Sequence, residues 1–310
     1  MNNLEPYKQI KLIGLKKFMD ELIRLNLHGN LPNKIILSGP KGVGKATMAY
    51  HFINFVLSQN EKYEYDLKNF EINPENKTYK TILNRSNPNL ITIDLEAEKK
   101  SIDINQIRKL IINLSKSSFN NKPRFILIDN IECLNINSVN ALLKVLEEPN
   151  SNIYFLLINS NRKILPTLSS RCINFKVYLT NQESQMISEK LLNTKLSNVI
   201  NEDLINYYFT PGNLYNLIHF GNMNEYNLND LYLKDFLKIL IKNNHYKKDN
   251  HIKYMIFDLM EFYFKKINIS LSKIVFDKYS YYLKKISNTK NFNLDEETLF
   301  LEFDEEILNG

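Results

Sequence analysis

The residues with chemistry in their spacing begin at Gly39. Gly39-Pro40-Lys41-Gly42-Val43-Gly44-Lys45-Ala46-Thr47 follows a short apolar run, Lys34-Ile35-Ile36-Leu37-Ser38, and leads into Met48-Ala49-Tyr50-His51-Phe52-Ile53, which continues as a helix. Strand, glycine-rich loop and helix are the setting of a phosphate-binding loop. Gly39, Gly42 and Gly44 let backbone N–H groups turn inward around phosphate oxygens. The helix N-terminus adds partial positive charge and Lys45 a full one. One position departs from the pattern: the Ser or Thr that would bind Mg²⁺ after the lysine is Ala46. Thr47 carries a hydroxyl, but one residue along a helix rotates it about 100° away. It is not expected to restore a metal site, and no metal ligand is assigned.

Four further positions belong with this loop. Asp129 closes the apolar run Phe125-Ile126-Leu127-Ile128 and fits the second acidic motif of phosphate-loop ATPases, where it holds Mg²⁺ directly or through water. The plainer alternative is a strand-end aspartate that caps the next segment. Many ATPases follow this acid with a glutamate that activates the attacking water; here Asn130 stands there. An amide orients water but cannot accept its proton. Asn159 ends another apolar run, and Arg171 sits in Leu168-Ser169-Ser170-Arg171-Cys172. An arginine is by default a solvated surface charge. At the rim of the sheet's carboxyl face it can also reach a neighbouring subunit's γ-phosphate as an arginine finger.

The elements that must position these residues are legible in hydrophobic spacing. An amphipathic helix is expected within 10–28, a strand at 35–37 and a helix from the loop to about Ser58. Residues 60–88 are polar, aromatic-spotted and irregular, and read as an insertion or long connection. Leu90–Leu95 is a strand. Asp103 and Gln106 have capping-box spacing ahead of Ile107, Leu110, Ile111 and Leu114. The Phe125 strand follows, then a helix through Val139, Leu142, Leu143 and Leu146 that stops at Glu147-Glu148-Pro149. Ile153–Ile158 and Ile173–Val177 are the last strands, the latter nearer an edge. Strands alternating with helices predict an α/β fold with a mainly parallel sheet, whose ligands sit at the carboxyl ends of the strands. Lys45, Asp129 and Asn159 all fall there. From about Thr180 the strand signal ends; short helices with a turn at Thr210-Pro211-Gly212-Asn213 precede longer amphipathic helices, a pattern that argues for a bundle.

Bulk composition narrows the class. The 310 residues suffice for two or three compact units, and 44% hydrophobic with 24% charged residues is ordinary for a soluble globular protein. The net charge of +6 permits nucleic-acid contact without requiring it. Cys133 and Cys172 are too few for a four-cysteine zinc site and do not suggest a disulfide scaffold, so a reducing cytoplasm is expected. No basic segment followed by an apolar one opens the chain, and no run approaches the roughly 18 apolar residues of a membrane span.

The run Asp129-Asn130 … Asn140-Ala141-Leu142-Leu143-Lys144-Val145-Leu146-Glu147-Glu148-Pro149 … Phe155-Leu156-Leu157 … Leu165-Pro166 … Ser170-Arg171-Cys172 strongly resembles the clamp-loader subunits of bacterial DNA polymerase III, which are AAA+ proteins. The GKAT-type loop looks like the delta-prime branch of that family and not its tau/gamma ATPase branch. The resemblance covers residues 10–178 and is only architectural beyond 180. It implies an AAA+ domain over 1–178, a small helical lid domain over 179–224 and a helical collar domain over 225–310. It implies that Arg171 is the Ser-Arg-Cys finger acting on a neighbour's ATP, that Asn159 is at the sensor-1 position, and that Asn213 replaces a sensor-2 arginine. Partners implied are tau/gamma and delta subunits, the sliding clamp through the assembled complex, and primed DNA, with no membrane. ATP or ADP is an expected ligand without efficient hydrolysis, and zinc is not expected, because the family's four-cysteine module is missing.

Two activities compete with a non-motor role. A self-sufficient AAA+ ATPase, such as a tau/gamma-like motor, is disfavoured by Ala46, Asn130 and Asn213 together. A small-molecule kinase is disfavoured by Arg171 with its Leu142–Pro149 helix motif.

Overall fold

The computed structural model describes residues 4–96, 99–115, 120–147, 152–205, 209–247, 250–267, 273–292 and 294–309. The chain divides into two compact units, one of residues 1–191 with 210–213, the other of 192–209 with 214–310.

The first unit is built on five strands: β1 (Lys34–Ser38), β2 (Leu90–Ile93), β3 (Arg124–Ile128), β4 (Ile153–Asn159) and β5 (Ile173–Lys176). All pair in parallel in the order β2-β3-β4-β1-β5, which puts β5 at an edge as its exposed, alternating residues predict. Register brings Ser38 opposite Asn159 and Ile128 opposite Leu157, so the strand ends carrying the candidate residues lie side by side.

The continuous apolar runs are explained by cover on both faces. Successive side chains of a strand point to opposite faces. Ile35, Leu37, Phe125, Leu127, Leu156 and Ile158 therefore share a core with α1 (Lys16–Leu27) and α2 (Lys45–Leu57). Their neighbours Ile36, Ile126, Ile128, Phe155 and Leu157 pack instead with α4 (Ile104–Leu114) and α5 (Ile136–Glu147). The Asp103–Gln106 capping box at the start of α4 is present in both directions. The expected stop at Glu148-Pro149 lies outside the described residues.

Residues 60–88 differ from the irregular insertion their sequence suggests. They carry a short helix, α3 (Lys77–Leu83), capped by the Asn76 side chain, and Tyr65, Phe70, Ile72, Tyr79 and Ile82 are buried in the same core as α1 and α2. Their backbone braces the N-terminal segment: Ile72 N–H donates to the Ile10 carbonyl at 2.7 Å and Leu12 N–H to the Phe70 carbonyl at 3.0 Å. Fully buried His51 on α2 joins the two, with Nδ1 2.9 Å from the Tyr65 hydroxyl and Nε2 3.1 Å from the Gln9 carbonyl. The last helices of this unit are α6 (Pro166–Ser169) and α7 (Asn181–Leu192), whose final residue falls in the second unit.

Among its described residues the second unit has helices and no strand, from α8 (Pro211–Met223) through α9 (Leu233–Lys242), α10 (Asn250–Ile267), α11 (Lys273–Phe292) and α12 (Glu296–Phe303). The helices pack on shared apolar faces: Leu233, Phe236, Leu237 and Leu240 of α9 are buried with Ile256 and Leu259 of α10, Tyr282 and Ile286 of α11, and Leu299, Phe300 and Phe303 of α12. The expected turn at 210–213 is instead the entry into α8, and those four residues belong to the first unit. No helix among the described residues is long and apolar enough to cross a membrane.

Candidate functional site

The loop between β1 and α2 is bent by glycines where only they fit. Gly42 and Gly44 have φ of +87° and +97°, in the left-handed region that disfavours a side chain. Gly39 is required for a different reason: a Cβ there would lie 2.0 Å from the Val177 carbonyl oxygen. Its N–H donates to the Asn159 carbonyl at 3.2 Å, which pins the start of the loop to the end of β4.

Lys45 opens α2 and is 4% exposed. Its ammonium donates to the Gly39 and Pro40 carbonyls, each at 2.8 Å, so it curls back inside the loop. Burial draws its pKa down to about 8, against the opposing charge of Asp129. A phosphate entering the loop would offer this ammonium a full negative charge in place of two neutral carbonyls. Ala46 presents a methyl group next to it. Thr47 also borders the cavity in front of the loop.

Asp129 stands just past β3. Burial, then the neighbouring Asp94 carboxylate, pushes its pKa up to about 6, while the Asn130 N–H donates to Oδ1 at 2.8 Å. Asn130 itself takes the left-handed conformation, φ 54°, and its side-chain amide donates to Asp94 Oδ1 at 2.7 Å. That amide is therefore engaged away from any attacking water. Asp94, in turn, accepts from Gln106 Nε2 through its backbone carbonyl at 3.0 Å. Sequence reasoning passed over Asp94. The signal was present in register, since Ile93 pairs with Ile128 and the residues after each must be neighbours.

Asn159 is 6% exposed, and its side chain closes a local turn, donating to the Arg162 carbonyl at 3.0 Å and accepting from the Arg162 N–H at 3.1 Å. Its neighbours Ile158 and Ser160 line the cavity. Arg171 lies apart from that lining, after α6. Its guanidinium donates to the Thr167 carbonyl at 2.9 Å and to Glu147 Oε1 at 2.6 Å, with the side chain 35% exposed.

The entry to α8 completes the loop. The Thr210 hydroxyl donates to the Lys41 carbonyl at 2.8 Å, and Gly212 N–H to the Gly42 carbonyl at 2.9 Å. A Cβ on Gly212 would stand 2.8 Å from Gly42 Cα, so this contact needs glycine on both sides. The contact joins residues 169 positions apart and left no local signal in the sequence.

The loop, Asp129 and Asn130, and Pro211 and Gly212 at the entry to α8 line part of a half-open cavity of about 270 Å³. Its lining combines the loop residues Lys41–Thr47 with Asp129, Asn130 and Ser160, and the apolar side chains of Leu12, Ile13, Leu15, Ile187 and Leu191. A glycine-rich loop with one buried ammonium, together with apolar side chains, fits a nucleoside polyphosphate. Among the described residues no three His, Cys, Asp or Glu side chains are grouped to hold a metal ion.

Comparison with known proteins identifies the family of the chain. Residues 14–180 match the family described as DNA polymerase III, delta subunit. The delta' subunit of Pseudomonas aeruginosa is 30% identical over 139 residues, 44% of this chain and 40% of that protein. A DNA polymerase III subunit gamma of Buchnera aphidicola (Schizaphis graminum) is 28% identical over 57% of this chain and 47% of its own length. The delta' subunit of the same organism is 26% identical over 83% of this chain and 76% of its own. The chain thus spans less than half the length of the first two of these relatives. With the family match extending over more than half of the sequence, the chain belongs to the DNA polymerase III delta subunit family.

Proposed function

We propose that this chain is a delta-prime, non-motor subunit of a bacterial DNA polymerase III clamp loader. In this reading it works in the cytoplasm with tau/gamma and delta subunits to load the sliding clamp onto primed DNA. Its AAA+ domain over 1–178 is followed by a lid over 179–224 and a collar over 225–310. It holds ATP or ADP without efficient hydrolysis and has no turnover of its own.

The observation that carries the reading is the Asn130–Asp94 hydrogen bond at 2.7 Å. The residue next to the buried acid is an amide and is already committed to another side chain, so the site has no base there to take a proton from water. Ala46 and Asn213 support the same conclusion. A bound nucleotide would be held by the loop amides and Lys45, with its nucleoside against Leu12, Ile13 and Ile187. Its phosphates would neutralise the buried ammonium.

Arg171 is the residue assigned to chemistry, in a neighbour's site. It lies outside the cavity of its own chain, and its partner Glu147 is exposed. An exposed pair is worth at most about 1 kcal/mol, so a γ-phosphate on an adjacent subunit can compete for the guanidinium. The test is Arg171→Ala in the reconstituted complex. DNA-stimulated hydrolysis should fall by a factor on the order of 10³–10⁵ while assembly persists. An unchanged rate removes the finger assignment, and sustained hydrolysis by the purified chain alone at about 1 s⁻¹ or more removes the non-motor reading.

A further inference from the structure

Four successive carbonyl groups of the loop are occupied, by two different elements. Lys45 takes those of Gly39 and Pro40 from inside. Thr210 and Gly212 take those of Lys41 and Gly42. The second pair has a geometric consequence. In a trans peptide unit the carbonyl of one residue and the N–H of the next point to opposite edges of the plane. With the Lys41 and Gly42 carbonyls drawn toward the 210–213 segment, the N–H groups of Gly42 and Val43 face the other way, away from that segment. Successive amides aimed at one point form an anion-binding concavity. Such a site costs least to occupy when its donors are already oriented.

We infer that the 210–213 segment is a strap that pre-orients the loop amides for phosphate, with Thr210 as a positioning residue for polyphosphate binding. This rests on the proposed ability of the loop to hold a nucleotide. The strap acts through the loop backbone and involves no metal, so it operates despite Ala46. Its ligand chemistry is a di- or triphosphate group, whether on a nucleoside or as free pyrophosphate. Thr210 is 4% exposed and its hydroxyl also accepts from the Asn213 N–H at 3.3 Å, so the donor is held in place at both ends.

The test is calorimetric titration of the full chain with ADP and, separately, with pyrophosphate, without Mg²⁺. Thr210→Val removes the donor at nearly constant volume. One net hydrogen bond corresponds to about a fivefold change, so both ligands should bind roughly 3–10-fold more weakly. Thr210→Ser should bind as the unsubstituted chain does. Gly212→Ala, which forces the strap off Gly42, provides a second variant and should weaken both ligands at least as much. A role confined to stability would lower the melting temperature of Thr210→Val and leave both affinities of the folded protein unchanged; that result overturns the inference. So does a loss seen for ADP alone, which would place the effect at the nucleoside end. Lys45→Ala separates this from the underlying reading. If it abolishes binding while Thr210→Val does not change it, the loop holds phosphate and the strap is irrelevant. If the unsubstituted chain binds neither ligand, the nucleotide reading and the inference fall together.

Discussion

Asn130 and Asp94, 36 residues apart in the chain, are joined by a hydrogen bond of 2.7 Å from amide to carboxylate. The pair sits at the ends of two adjacent strands and keeps a neutral group next to the buried Asp129. Asn130→Asp would replace the donor by a second carboxylate. Two carboxylates in contact raise one pKa above its unfolded value. Stability is then intact at low pH and lost as pH rises through the raised value. The variant should match the parent near pH 4 and fall about 1 kcal/mol below it at pH 8. Urea unfolding at the two pH values checks this, and equal stability at pH 8 would show that the two side chains do not meet.

Asp129 makes the opposite experiment possible. Its folded pKa of about 6 lies above the ordinary carboxylate value because the ionised form is buried beside Asp94. Ionisation above pH 6 therefore opposes folding. Asp129→Asn should stabilise the chain by up to about 3 kcal/mol at pH 8, with the gain vanishing toward pH 4. A loss of stability at pH 8 would mean that the carboxylate is better paired than its surroundings indicate.

His51 sets an acid limit. Its pKa is drawn down to about 4 by burial, and the imidazole is neutral between Tyr65 and Gln9. The unfolded chain binds this proton between about pH 6.5 and 4 and the folded chain does not. Stability is complete above pH 6.5 and declines by up to about 3 kcal/mol as pH falls to 4. His51→Gln should be less stable at pH 7 yet show a flatter acid limb between pH 6.5 and 4. An unchanged slope would assign the acid sensitivity elsewhere.

Two glycines give a contrast in mechanism. Gly39→Ala drives a methyl to 2.0 Å from the Val177 carbonyl oxygen, so the loop or the β5 edge must move. A cost above about 2 kcal/mol is expected, with loss of the proposed ADP binding. Gly29 has φ +70° and open space around it. Gly29→Ala meets only the left-handed penalty of about 1–2 kcal/mol and should leave ADP binding intact. Comparable ADP affinities in the two variants would refute the close approach at Gly39.

The five strands, the capping box and the helical second unit were legible because each rests on a local period. Ile107, Leu110, Ile111 and Leu114 mark α4 without reference to anything else, and the run at Phe125 can only be a strand covered on both faces. Gly39, Lys45 and Asp129 were legible for the same reason, as motifs at strand ends. What escaped has no period. Tyr65, Phe70, Ile72, Tyr79 and Ile82 are spaced irregularly because they enter the core from a turn, a bridge and a short helix. Asp94 acquires meaning only from the register of β2 on β3, and Thr210 only from a contact across most of the first unit's sequence. Side chains whose role depends on a distant backbone leave no trace in their own neighbourhood.

The bracing of the N-terminal segment by residues 70 and 72 has a consequence for proteolysis. The polar part of the cavity's lining comes from the loop after β1, the start of α2 and the residues just after β3. The apolar wall at Leu12 and Ile13 hangs instead from the backbone of Phe70 and Ile72. A single nick between Phe70 and Ile72 breaks no pairing among β1–β5, yet it interrupts the backbone from which that wall hangs. On the proposed nucleotide reading, the cut chain should still bind pyrophosphate and should bind ADP more weakly than the intact chain.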